Sequence, residues 1–103
     1  GMRQVACLSE NGRLLVFPLD ELKRLPTGGK GVILMGLDAK EHLRCAIAFG
    51  AAGISYSGLG RAGKPTDTLL DAKTLKGFAG NRARKGHLVD PRLKEARLKA
   101  INN

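Results

Sequence analysis

Apolar residues along this chain recur at every second position in short runs, and turn-forming residues close each run. Leu43, Cys45, Ile47 and Phe49 alternate with Arg44, Ala46 and Ala48, the period of a strand with one apolar face. Segments 5–8 and 14–17 flank Asn11-Gly12, a strong short-range signal for an antiparallel hairpin. Ile54-Ser55-Tyr56-Ser57 is a further short strand, framed by Gly53 and Gly58. The continuous apolar run 31–37 (GVILMGL) suits a strand covered on both faces. Asp20-Glu21-Leu22-Lys23 and Asp71-Ala72-Lys73-Thr74-Leu75 each read as one helical turn with an acid at its start. After Asp90-Pro91 two readings stand. Asp as cap, Pro at the first helical position and Glu95 four residues before Lys99 favour a helix. The missing apolar stripe leaves a final edge strand open. The pattern as a whole predicts an all-β fold with two helical turns.

Length narrows this further. At 103 residues the chain is one compact unit or a pair of small repeats. It is too short for a dinucleotide-binding enzyme with a substrate domain, or for an α/β barrel. A pair of repeats has direct support. Leu19-Asp20-Glu21-Leu22-Lys23-Arg24-Leu25 is echoed by Leu70-Asp71-Ala72-Lys73-Thr74-Leu75-Lys76, with the Leu-Asp pairs 51 residues apart (19 and 70). Lys30-Gly31 is echoed by Lys85-Gly86, so the second copy carries a longer basic loop. A period near 50 residues without long helices suits stacked or radial β units. The expected units are 2–50 and 51–103, with Gly1 ahead of Met2 read as a remnant of expression. Hydrophobic residues at 43% supply a core. No apolar run approaches the ~20 residues of a membrane span, and the absence of a leader pattern points to the cytoplasm.

Charge indicates the class of partner. Residues 1–58 hold seven basic and five acidic side chains, whereas 59–103 hold eleven basic and four acidic. Such a one-sided field favours a polyanion over the bland alternative of a solvated basic surface. Glycines in Lys76-Gly77-Phe78-Ala79-Gly80-Asn81-Arg82-Ala83-Arg84-Lys85-Gly86 let backbone N–H groups approach phosphates, while Lys76, Arg82, Arg84 and Lys85 bring charge. Arg61 and Lys64 form a second basic turn, and Lys30 lies in the first-copy counterpart of the loop. Four aromatic residues without Trp argue against a single-strand stacking surface. No long helix is available for a major groove. Sequence-tolerant phosphate contact along duplex DNA remains.

Other chemistries fare poorly. Gly58-Leu59-Gly60-Arg61-Ala62-Gly63 is a literal GxGxxG, and Gly63-Lys64 brings it close to a phosphate-binding loop. A nucleotide-binding module built on Gly58 through Lys64 is therefore the alternative. Pro65 stands where the hydroxyl ligand of Mg²⁺ belongs, and no acid occupies 78–88. No catalytic residue is expected: no nucleophile set or carboxylate pair is present, and Tyr56 reads as packing. His42 and Cys45 lack a second ligand pair, so no metal or other cofactor is expected. Cys7 and Cys45 read as unpaired, reduced thiols.

The string Gly12-Arg13-Leu14-Leu15-Val16-Phe17-Pro18-Leu19-Asp20-Glu21-Leu22-Lys23, with Gly28-Gly29-Lys30-Gly31-Val32, resembles the C-terminal DNA-binding repeats of bacterial type IIA topoisomerases. Gly80-Asn81-Arg82-Ala83-Arg84-Lys85-Gly86 is similar to the last repeat of the topoisomerase IV A-subunit branch. The resemblance implies about two four-stranded propeller-type blades of a broken β-pinwheel. It implies a non-catalytic module that binds bent or crossed double-stranded DNA and helps its parent relax and decatenate chromosomes for segregation. ATP and Mg²⁺ would serve other domains of that parent. Its partners would be the rest of the A subunit and the B subunit, as A2B2, near the nucleoid and peripherally at the inner membrane. Gyrase-type repeats open their seven-residue box with Gln-Arg-Arg, whereas Leu25-Pro26-Thr27 stands here before Gly28-Gly29-Lys30-Gly31. That departure resembles topoisomerase IV and disfavours active wrapping. The family's cleavage tyrosine lies in an earlier domain, next to an arginine, a context that Tyr56 lacks.

Overall fold

The computed structural model describes residues 3–23, 35–81, 83–89 and 92–101. In chain order the elements are β1 (Gln4–Ser9), β2 (Arg13–Pro18), α1 (Asp20–Lys23), β3 (Leu43–Phe49), β4 (Ile54–Leu59), β5 (Pro65–Leu70), α2 (Ala72–Leu75), β6 (His87–Leu88) and β7 (Lys94–Ala100). Short 3-10 turns occupy Arg61–Gly63 and Lys76–Phe78. The strands form two antiparallel sheets, ordered β3-β1-β2-β6 and β5-β4-β7. The fold is all-β, as the period-two pattern predicts.

The β1–β2 hairpin pairs Val5 with Phe17 and Leu8 with Leu14. Its turn closes through the Gly12 N–H, which donates to the Ser9 carbonyl at 3.1 Å. The Arg13 N–H donates to the Ser9 hydroxyl at the same distance. In α2, the Asp71 carboxylate accepts from the Thr74 N–H at 2.8 Å, satisfying a donor that a helix start leaves open.

The two sheets share a three-strand arrangement. In each sheet the first strand of the copy is central, flanked by its hairpin partner and by a later strand: β2-β1-β3 and β5-β4-β7. β3 begins at 43 and β7 at 94, which reproduces the 51-residue offset. β6, from the second half of the chain, crosses to the outer edge of β2.

Burial explains why the strands read differently in sequence. Ala6, Leu8, Leu14, Val16 and Phe49 pack against Ile54, Tyr56, Leu70, Ala96 and Leu98 between the sheets. Val5, Cys7, Leu15 and Phe17 form a second cluster on the other face of the first sheet, capped by Met35. β1 and β2 are thus covered on both sides and carry unbroken apolar runs. β7 is covered on one side: Ala96 and Leu98 are buried, while Glu95, Arg97 and Lys99 are exposed. That alternation resolves the tail as a strand. For the strand expected over 31–37, residues 31–34 lie outside those described, and Met35, Gly36 and Leu37 form none. The Gly36 N–H donates instead to the Arg84 carbonyl at 2.7 Å, leaving Met35 as a plug rather than a ladder residue.

Candidate nucleic-acid interface

The glycine-rich basic loop is an excursion from the edge of β2. After the Lys76–Phe78 turn, Ala79 bridges Val16 in parallel, and the Gly80 N–H donates to the Val16 carbonyl at 2.8 Å. The chain then leaves the sheet and returns antiparallel as β6, setting His87 opposite Leu14 and Leu88 opposite Arg13. Both ends of the loop are therefore anchored on one strand. Gly86 makes the return possible: its φ is +76°, and a Cβ there would overlap the Leu14 carbonyl oxygen. Inside the loop the Arg84 N–H donates to the Asn81 carbonyl at 3.2 Å. The side chains of Lys76, Arg84 and Lys85 stand exposed. Lys30 and Arg82 lie outside the described residues.

The loop is not electrostatically free. Lys85 Nζ lies 2.7 Å from Asp38, and Arg13 lies 3.5 Å from the other oxygen of the same carboxylate. The Lys85 hydrogen bond and charge, followed by Arg13, hold the Asp38 carboxyl below its ordinary value. Glu41, three residues on in the same turn, accepts the Asp38 N–H at 2.9 Å and is likewise lowered by that bond. Sequence reasoning missed Asp38, because nothing local relates position 38 to position 85.

The second basic turn joins β4 to β5. The Gly60 N–H donates to the Lys64 carbonyl at 2.7 Å, the Thr66 hydroxyl donates to that carbonyl at 3.1 Å, and Arg61 and Lys64 point to solvent. This turn sits on the second sheet and the 80–86 loop on the first. No hydrogen bond or ion pair joins them among the described residues. The glycines of the GxGxxG string have a packing explanation. A Cβ on Gly58 would lie 2.7 Å from the Lys94 carbonyl, opposite a bulge where the β4–β7 register shifts between Ser57 and Leu59. The string leads into β5, an antiparallel strand. A dinucleotide or phosphate-binding loop needs a helix N-terminus at that point.

Residues 3–44 match the family model of the DNA gyrase C-terminal domain, beta-propeller. The match supports a gyrase A-like family. That family is a non-catalytic, DNA-binding and DNA-wrapping C-terminal part of type IIA topoisomerase A subunits. A comparison with curated proteins gave no match. The matched segment contains β1, β2, α1 and the first residues of β3, and the three-strand unit they begin recurs in β4, β5 and β7.

The two sheets also carry cations that motif reading passed over. Arg44 on β3, Arg92 before β7, and Lys94, Arg97 and Lys99 on β7 are all exposed. The alternation of Ala96 and Leu98 with charged neighbours was the available signal. Cys7 and Cys45 are free thiols on opposite faces of the first sheet, Cys7 in the Met35 cluster and Cys45 against the inter-sheet core. Burial, with the neighbouring Cys45, pushes the Cys7 thiol up to about 12. Among the described residues no helix is long and apolar enough to cross a membrane.

Proposed function

We propose that the chain is a duplex-DNA-binding module from the C-terminal region of a topoisomerase IV A subunit. In this reading it binds bent or crossed DNA and helps the parent enzyme, an ATP-dependent type IIA topoisomerase, in relaxation and decatenation during chromosome segregation. The observation that carries it is the family match at 3–44 together with the return of the same three-strand unit at the 51-residue offset. Leu25-Pro26-Thr27 in place of a basic opening to the box supports the topoisomerase IV branch over an actively wrapping one. The units 2–50 and 51–103 are the two blade repeats. The contacts fall on Lys30, Arg61, Lys64, Lys76, Arg82, Arg84 and Lys85, all of them phosphate-directed and blind to sequence. The remaining A subunit and the B subunit, as A2B2, are its partners near the nucleoid in the cytoplasm, with the parent peripheral at the inner membrane.

Fluorescence titration with a short labelled duplex at 50 and 200 mM salt tests this, beside titrations with ATP and NAD. The expected result is duplex binding that weakens steeply with salt and is equal for unrelated sequences. Saturable ATP or NAD binding without duplex binding would overturn it in favour of a small-ligand module on Gly58 through Lys64.

A further inference from the structure

We infer that the cleft between the two sheets is a further phosphate-binding site, formed by Arg44, Arg92 and Lys94. The inference rests on the duplex-binding reading and adds to it a surface away from both glycine-bearing basic turns. The cleft encloses about 460 Å³ and takes its walls from the β1–β2 turn, from β3 and from the start of β7. Arg44 enters from the first sheet, and Arg92 and Lys94 enter from the segment that opens β7, on the second.

The state of these cations sets the cleft apart from the loop. Arg44 Nε donates to the Ala96 carbonyl at 2.6 Å, and an Arg92 terminal nitrogen donates to the Glu10 carbonyl at 3.3 Å. A carbonyl orients a guanidinium and leaves its charge unneutralised, so its remaining N–H donors stay available to an anion. Lys94 makes no side-chain hydrogen bond or ion pair among the described residues. Two ion pairs gather at Asp38, where Lys85 and Arg13 are already engaged. Two carboxylates also line the cleft. Glu10 turns one oxygen to the His42 N–H at 3.0 Å. Glu95 occupies the bulge of β7 at a φ of +52°, a distortion of the kind that re-aims side chains along a strand.

A second observation ties the site to the fold. The N–H of Leu93, the residue between Arg92 and Lys94, donates to the buried Tyr56 hydroxyl at 2.9 Å. The backbone carrying two of the three cations is therefore held from inside the core. The geometry suits adjacent phosphodiester groups of one strand passing between the sheets, with Arg92 and Lys94 each meeting one, and the ligand class is the sugar-phosphate backbone of duplex DNA.

The test compares the wild-type chain with an Arg92→Gln/Lys94→Gln variant in duplex titrations at several salt concentrations, with circular dichroism as the check on folding. Arg44 is left intact because it also joins the sheets. Removing two contacts makes the slope of log K against log salt shallower by about 1.8, at about 0.9 per contact. Between 50 and 200 mM salt the variant then loses roughly twelvefold less affinity than the wild type. A folded variant with unchanged affinity and slope overturns the cleft site and leaves the duplex-binding reading standing. A wild type that binds no duplex at low salt overturns both. Should the double variant unfold, Lys94→Gln alone decides, since its side chain holds nothing in place: a slope change of about 0.9 supports the site, and no change overturns it.

Discussion

Asp38 is the residue that most alters the sequence-based picture of the basic loop. It faces Lys85 at 2.7 Å and Arg13 at 3.5 Å, so a phosphate reaching Lys85 must first displace a carboxylate. Asp38→Asn removes that competitor without changing shape. Duplex affinity should rise by roughly two- to fivefold at low salt, since exposed ion pairs are weak, and Lys85→Ala in the same background should abolish the gain. Equal affinity of Asp38→Asn and wild type would show that Lys85 takes no part in binding. Tyr56 raises a different question at this scale. Tyr56→Phe strips the buried Leu93 N–H of its partner, and an unmade buried hydrogen bond costs about 1–3 kcal/mol. Urea denaturation should register that loss, together with weaker duplex binding if Arg92 and Lys94 are carried by the segment that Tyr56 holds.

Among the elements, the 80–86 loop shows how little backbone is needed to present a charged turn. One bridge at Ala79, one hydrogen bond from Gly80 and the two-residue strand β6 fix both of its ends to β2. Gly86 is the position that tolerates no side chain, since its positive φ and the Leu14 carbonyl both exclude a Cβ. Gly86→Ala should cost more than about 1 kcal/mol and detach β6. Amide exchange at His87 and Leu88 would then accelerate ahead of exchange in β1. A β6 protected as well as in the wild type would mean that the β2 edge can shift to make room.

For the molecule as a whole, stability has an acid limb and an alkaline limb with separate origins. Asp38, Glu41 and Asp71 are held below their ordinary values of 3.8, 4.5 and 3.8, by Lys85, by the Asp38 N–H and by the Thr74 N–H respectively. Depressed carboxylates stabilise the fold above their unfolded values, and that contribution disappears as pH falls through the lower folded ones. The urea midpoint should stay level down to about pH 5 and drop below about pH 4. Cys7 acts in the opposite sense. Its thiol is raised from 9.0 to about 12, so the unfolded chain ionises first and stability falls as pH rises above about 9. Cys7→Ala should make the alkaline limb shallower, with the Cys45 thiol, also raised by burial, carrying a remainder, and leave the acid limb in place. An unchanged alkaline limb would assign it to other groups.

How much of this was legible in the sequence follows from the range of each interaction. Alternation over 43–49, the Asn11-Gly12 turn, the capping Asp71 and the 51-residue echo are local or periodic signals. They determined an all-β chain with exposed basic turns. The tail needed the sheet, because Ala96 and Leu98 are apolar enough for a strand only once β4 and β3 lie against them. The run at 31–37 misled from Met35 onward, since covering the back of a sheet demands the same apolar residues as belonging to one. The partnership of Lys85 with Asp38, and the meeting of Arg44 with Arg92 and Lys94, join residues about fifty positions apart. Such contacts leave no local pattern. Only the way β6 returns to β2, and the way β3 packs beside β7, decided which cations are neutralised within the chain and which remain for a phosphate.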